Sequence, residues 1–470
     1  MAVFFKAAMS EMLSLFDKYS EIGTPTMEDK RLQKLERLLL RIRVIVEEAE
    51  GRHITNQAMV HQLNLLRKEM YRGYFTMDNL RCQGIEAKDH DVSHSFALSK
   101  FNPAKRIFAS TLDTHREKDL QQVLLNLNNI IEDANELVKL LKNYPPLYRQ
   151  PYSMHLFIDK CMFGRQMETE RILNFLMPEE HPGTRSPGIL PIVGPTYVGK
   201  STLVAHVCND ARVRNYFSRI MVITGDDINS ENLDTVKDGS VMIHQHNALG
   251  ENDRSLVIIE FSEDVREVAW NTFYSSFGAS LGRGSKVIVT SRSKKVKTFG
   301  TTQALVLNFL PPEAYWYFFK ILTFGSTYSG DHPKLESIGM EIARGLKGSF
   351  VGANMTSGIL RNNFVPQHWW MFLGQFRRSI QRNLSLFGEN PYDLARKGKP
   401  ITCRISDDEF VVWDDFRVCP VEENFPMITH EDVLSGSVKR EGKFNVLTWK
   451  SQIPPYGSCI VSGTIKKSQQ

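Results

Sequence analysis

Apolar residues recur at steps of three and four through the first 142 positions, the spacing that places side chains on one face of an α-helix. Phe4, Ala8, Met12, Leu15 and Tyr19 draw a first stripe, and Leu32, Leu35, Leu39, Ile42, Val46 and Ala49 a second. Val60, Leu63, Leu66 and Met70 mark a third helix. Leu120, Leu124, Leu127, Ile131, Ala134, Val138 and Leu141 mark a fourth. Stripes this short read as the internal core of a four-helix bundle, with a coiled-coil dimer seam as the sharper alternative. Residues 83 to 112 carry no such stripe and read as a polar loop. The prolines of Asn143-Tyr-Pro-Pro-Leu-Tyr-Arg-Gln-Pro151 stop the last helix and begin a linker, 143–162.

Beyond the linker the pattern changes to short β-rich runs. Arg219-Ile-Met-Val-Ile-Thr224, Ser255-Leu-Val-Ile-Ile-Glu260, Lys286-Val-Ile-Val-Thr290 and Ala304-Leu-Val-Leu-Asn308 are separated by helix-compatible stretches. Continuous apolar strands alternating with helices predict a parallel sheet covered on both faces, which sets a domain at 163–310. A helical subdomain is expected at 311–375. The extension 376–470 holds short runs such as Phe410-Val-Val-Trp413 and Ser458-Cys-Ile-Val-Ser462 between turns, and reads as a small β-rich or partly ordered tail. The expected fold class is therefore multidomain α and α/β.

Size and charge narrow this little. The 470 residues suffice for about three domains. A net charge of +5, spread along the chain, does not point to nucleic acid. The six cysteines show neither a Cys-x-x-Cys pair nor metal-ligand spacing, and read as reduced thiols. Lys6 and Glu11 interrupt the apolar N-terminus before a signal core forms, and no run approaches transmembrane length, so a cytoplasmic location is expected.

The chemistry is concentrated in Gly188-Ile-Leu-Pro-Ile-Val-Gly-Pro-Thr-Tyr-Val-Gly-Lys-Ser-Thr202. It places Gly194-x-x-x-x-Gly199-Lys200-Ser201 after an apolar strand and before a helical run, the phosphate-binding arrangement of a P-loop NTPase. Gly194, Val198 and Gly199 shape the loop, Lys200 supplies positive charge to phosphates, and the Ser201 hydroxyl is a magnesium ligand. Glu260 closes a strand where an acid reaches that metal. ADP or ATP, with Mg2+ beside ATP, are the expected ligands. Pro195 removes one loop N–H, and Thr196 and Tyr197 stand where smaller residues let such loops curl.

The ordered series formed by this loop, Val207-Cys-Asn-Asp-Ala-Arg-Val-Arg-Asn-Tyr-Phe217, Leu256-Val-Ile-Ile-Glu260, Gly284-Ser-Lys-Val-Ile-Val-Thr-Ser-Arg292 and Leu310-Pro-Pro-Glu-Ala-Tyr-Trp-Tyr-Phe-Phe319 resembles the NB-ARC module of plant coiled-coil disease-resistance (NLR) proteins, cereal ones in particular. Glu47-Glu-Ala-Glu-Gly-Arg-His-Ile-Thr-Asn-Gln57 is similar to their Rx-type N-terminal bundle. The resemblance covers roughly residues 1 to 375. It implies a switch held closed by ADP and opened by ATP, with Thr202 supporting the loop and Arg292 as the sensor of the γ-phosphate. The implied partners are other such receptors, met through the N-terminal bundle, or a second copy. In some relatives the first helix lines a membrane pore with an acid, a place held here by Glu11.

Departures from the family pattern shape the expected mechanism. Its paired aspartates read Glu260-Phe261, so hydrolysis would fall to Glu263 or Asp264. Its Gly-Leu-Pro-Leu reads Gly345-Leu-Lys-Gly348, and its bundle acids survive only as Asp78 in Tyr74-Phe-Thr-Met-Asp78. Thr429-His-Glu-Asp432 is a faint echo of its Met-His-Asp, and no leucine-rich repeat period recurs. The expectation is a truncated immune-receptor-like protein that binds nucleotide with little turnover, as switch, regulator or adaptor. An active NTPase and a scaffold or decoy with a dead pocket are the alternatives.

Overall fold

The computed structural model describes residues 27–50, 52, 54, 56–93, 103–144, 162–177, 187–225, 241–245, 254–261, 266–279, 281–405, 409–419, 428–429, 432–433, 442–450 and 458–467. The chain forms two compact units, Met1–Tyr148 and Arg149–Gln470.

The first unit contains helices α1 (Met27–Glu50), α2 (Gln57–Ser93) and α3 (Pro103–Leu141). The stripes read from sequence are largely its core: Leu35, Leu39, Ile42, Val46, Leu63, Leu66, Met70, Leu120, Leu127 and Ile131 are all buried, and the three helices pack on one another. At the end of α3 the buried face rotates, so that Leu137 is covered while Val138 is exposed. Arg52, just past α1, donates to the Tyr144 carbonyl at 2.8 Å and ties the last turn down. Asp78 is fully buried within this unit. Where a polar loop was expected over 83–112, α2 continues through Ser93 and α3 begins at Pro103. Once nucleated, a helix propagates through residues such as Glu86-Ala87-Lys88 and Ala104-Lys105-Arg106 without needing an apolar stripe. The predicted first helix, with Glu11, lies outside the described residues.

The second unit is built on a six-stranded sheet. Its strands β1 (Gly188–Val193), β2 (Arg219–Thr224), β3 (Val241–Gln245), β4 (Ser255–Phe261), β5 (Lys286–Ser291) and β6 (Leu305–Val306) lie in the order β3-β2-β4-β5-β1-β6. Five strands are parallel; β3, which the sequence did not announce, pairs antiparallel with β2 at the edge. One face carries α4 (Gln166–Leu176) and α5 (Lys200–Cys208) over Leu190, Ile192, Leu256, Ile258 and Ile288. The other carries α7 (Glu267–Ala279) over Val257, Ile259, Val287 and Val289. A short helix, α6 (Ala211–Tyr216), is capped by the Asp210 side chain.

Helices α8 (Pro312–Phe324), α9 (Pro333–Gly345), α10 (Phe350–Asn362) and α11 (Pro366–Phe387) form the helical subdomain. Prolines start three of them, where the missing N–H costs nothing. Trp316, Phe319, Phe324 and Trp369 fill the core, and the Trp369 indole donates to the Leu360 carbonyl at 3.0 Å. Glu336, fully buried, is matched by Lys320 at 2.7 Å and by the Ser329 hydroxyl at 2.6 Å.

Helix α11 runs on through residue 375, where the sequence reading placed the start of the extension. After α12 (Pro391–Arg396) come β7 (Ile401–Arg404), β8 (Glu409–Cys419), β9 (Lys443–Lys450) and β10 (Ser458–Lys467), an antiparallel sheet in the order β7-β8-β10-β9. Val411, Trp413, Val446 and Val461 are its core. Buried Asn383 of α11 joins it to the helices: its amide donates to the Thr402 carbonyl at 2.8 Å and accepts from the Thr402 N–H at 3.0 Å. Asn383→Leu leaves both backbone groups of Thr402 buried and unpaired, a loss of about 2–4 kcal/mol. Chemical denaturation should record that loss, and hydrogen exchange should show faster opening of β7.

Candidate functional site

The carboxyl end of β1 is held from both sides. Beyond the ladder that ends at Val193 opposite Ser291, the Gly194 N–H donates to the Ser291 carbonyl at 3.2 Å, and the Leu307 N–H donates to Val193 at 2.8 Å. This brings two main chains so close that a methyl group at Gly194 would lie 2.6 Å from the Leu307 carbonyl oxygen. The chain then turns through exposed Pro195 and Tyr197, the latter left-handed at φ 60°. Val198 plunges into the core as an anchor. Gly199, at φ 92°, starts α5 from a conformation that L side chains rarely adopt. As N-cap it offers no side chain, and no side chain caps the first N–H groups of α5, the kind of helix start that can receive an anion. Ser201 and Thr202 are exposed on that first turn.

Lys200 folds back over its own loop, donating to the carbonyls of Gly194 and Pro195 at 2.8 Å each. Burial lowers its ammonium to about 8, opposed by the Glu260 carboxylate and assisted by the Arg292 guanidinium. The fold thus brings Glu260 and Arg292, read from separate motifs, within electrostatic reach of Lys200. Glu260 is half-buried at the end of β4, paired across to Thr290, and Arg292 is exposed just beyond β5.

Strand alternation separates Glu260 from its neighbour. Leu256 and Ile258 lie on the α5 face, in register with Glu260, whereas Val257, Ile259 and Phe261 lie on the α7 face. Phe261 packs edge-on against Trp270 at 6.0 Å and Phe299 at 6.5 Å. A side chain there belongs to the core and not to the phosphate loop. Glu263 and Asp264 lie outside the described residues, as do His430 and Glu431. Thr429 and Asp432 bond to each other, the Thr429 hydroxyl donating to the Asp432 carboxylate at 2.6 Å and holding its pKa below the ordinary carboxylate value.

Arg165, near the start of the domain expected at 163–310, is the residue that sequence reasoning passed over. Almost fully buried, it donates to Asn308 O at 2.6 Å, to Val198 O at 3.4 Å and to Glu168 at 3.0 Å. It thereby links the phosphate loop to the strand that leaves the sheet. Gly345-Leu-Lys-Gly348 also differs from expectation in shape: Lys347 takes φ 54°, a conformation closed to proline, whose ring fixes φ near −65°.

Two outcomes follow from the loop geometry. Gly199→Ala should cost about 1–2 kcal/mol through its φ alone, and Gly194→Ala about 2–3 kcal/mol because the obstacle is backbone that cannot step aside, both read from denaturant midpoints. The unfolded chain keeps the Lys200 proton up to its ordinary 10.5, whereas the fold releases it near 8. Between those values the unfolded state binds more protons, so this residue's contribution to stability rises with pH. Lys200→Met should remove that rise when stability is compared at about pH 7 and about pH 10.

No family model matches the chain. It is 23% identical over 353 residues to the putative disease resistance protein RGA1 of Solanum bulbocastanum, covering 72% of this chain and 34% of that protein. It is 24% identical over 349 residues to the disease resistance protein RGA2 of the same plant, covering 70% and 34%. The putative disease resistance RPP13-like protein 1 of Arabidopsis thaliana is 28% identical over 219 residues, covering 45% and 20%. The chain thus spans about a third or less of the length of these relatives. Among solved structures, domain III of the Thermotoga maritima replication initiation protein DnaA aligns over 48% of this chain and 98% of its own, at 15% identity and a TM-score of 0.32. The sequence relatives of this chain are plant disease resistance proteins of the NLR type.

Proposed function

We propose that the chain is a nucleotide-binding switch of plant defence, taking ADP or ATP at the loop 194–202 with little hydrolysis. The observation that carries this reading is the placing of Glu260 and Arg292, at the carboxyl ends of β4 and β5, within electrostatic reach of Lys200, beside a helix start that no side chain caps. Phosphates placed there replace the Gly194 and Pro195 carbonyls as partners of the Lys200 ammonium. A charge-assisted bond to phosphate is stronger than either carbonyl contact. Arg292, exposed beyond β5, is free in reach to meet a terminal phosphate. Ser201 and Glu260 offer one hydroxyl and one carboxylate, a donor set that suits Mg2+ completed by water and phosphate oxygens. Low turnover follows from Phe261, because the residue after Glu260 is committed to the opposite face and cannot orient a water. The defence role rests on the relatives, and the expected partners, receptors of the same kind met through residues 1 to 142 in the cytoplasm, rest on the resemblance.

One observation favours a second reading, a folded scaffold with a closed pocket: the two bonds by which Lys200 is held to its own loop. Nucleotide released by denaturing the purified protein and separated by chromatography decides between them. ADP or ATP retained by the native chain and lost in Lys200→Ala is expected, whereas a folded, empty native protein would select the scaffold. Phosphate release should stay near the uncatalysed background. Phe261→Asp should not raise it, and should instead destabilise the domain by about 3 kcal/mol or more by burying a charge in an apolar cluster.

A further inference from the structure

Two arginines close on the same short connector between β6 and α8. Arg165 reaches it from the phosphate-loop side, through the Asn308 carbonyl. From the other side Arg396, the last residue of α12, lays its guanidinium 3.9 Å from the centre of the Phe309 ring. The same guanidinium donates to the Lys347 carbonyl and pairs with Asp393 at 3.0 Å. At the root of the ring, a methyl group on Gly348 would lie 3.7 Å from Phe309 Cβ. Beneath, Phe309 packs on the cluster that contains Val198 and Leu203 of the loop and its helix. One planar fork thus fixes three segments that are remote in sequence: the connector, the 345–348 turn and α12.

The site itself has two unlike ends. Lys200, Glu260 and Arg292 make one end charged. The other is apolar: Met162 Cε stands 3.7 Å from where a Gly199 side chain would begin, and Met162 and Phe309 are half-buried on the same core. A nucleotide is polarised in the same sense, so phosphates at the charged end send the flat base toward the apolar one.

We propose that Arg396 is a positioning residue for the base of a bound nucleotide, holding the Phe309 ring and the Lys347–Gly348 turn as one wall of the apolar end. It acts through Phe309 and does not touch the ligand. The proposal rests on the nucleotide reading above and adds to it a residue supplied by the segment before the C-terminal sheet. A cation on an aromatic face, largely shielded from water, is a stronger brace than an exposed ion pair of the same length.

The test is ADP affinity, measured by calorimetry on the full chain, for the native protein, Arg396→Met, Phe309→Leu, the double variant and Arg396→Lys. The thermal midpoint without nucleotide is recorded for each. Arg396→Met and Phe309→Leu should each weaken ADP binding by about tenfold. The double variant should lose less than the product of the two single losses, because the variants share the contact between guanidinium and ring. Arg396→Lys should recover part of the loss by restoring the cation. Native-like affinity in Arg396→Met would overturn the proposal, as would losses that multiply in the double variant or that track the thermal midpoint alone. If Arg396→Met does not fold, Phe309→Leu and Arg396→Lys carry the decision by the same criteria. A native chain that binds no ADP would overturn the nucleotide reading, and this proposal with it.

Discussion

The arrangement at the carboxyl end of the sheet depends on one close approach of two backbones, Gly194 against the Leu307 carbonyl. Because no side chain separates them, the strand that enters the phosphate loop and the strand that leaves for the helical subdomain share a hydrogen-bonded edge past the end of the ladder. The loop therefore starts from a fixed point. Val198, driven into the apolar core, fixes it again four residues later, and the left-handed Gly199 turns what remains into a helix start. Between two such anchors the three residues have little freedom, and Lys200 finds its partners within the loop itself.

The second organising constraint is the period of two along a strand. It sends Glu260 and Phe261 to opposite faces, one toward the phosphate loop and one into a stack of aromatic rings with Trp270 and Phe299. The Trp270 and Phe299 rings lie nearly parallel at 4.8 Å, so the cluster is a packed structural unit and not a vacancy left by a lost acid. In this chain the candidate site and the core share a strand end without sharing a face.

Much of this was legible in the sequence. Stripes at steps of three and four located the buried faces of α1, α2 and α3, and four apolar runs located β2, β4, β5 and β6, because burial dictates both patterns. The strand-loop-helix setting of Lys200 was equally plain. What was hidden has a physical explanation in each case. The polar ends of α2 and α3 need no core, so no stripe marks them. Strand β3 is a lone edge strand, Val-Met-Ile-His-Gln, with too few residues to show a period. Arg165 and Arg396 work through backbone carbonyls and a ring far away in sequence, and such contacts have no spacing to recognise. Nor does any propensity announce that Lys347 adopts a left-handed backbone.

That last feature bears on how the sequence can change. Proline at position 347, the residue found there in the pattern this chain resembles, cannot enter the turn as it now stands, since its ring excludes the positive φ that Lys347 has taken. Proline there would have to rebuild the turn, and with it the carbonyl that Arg396 grips and the seat of Phe309. Tolerance at position 347 is thus set by backbone shape: a residue there must accept the left-handed φ around which the Arg396 and Phe309 contacts are built.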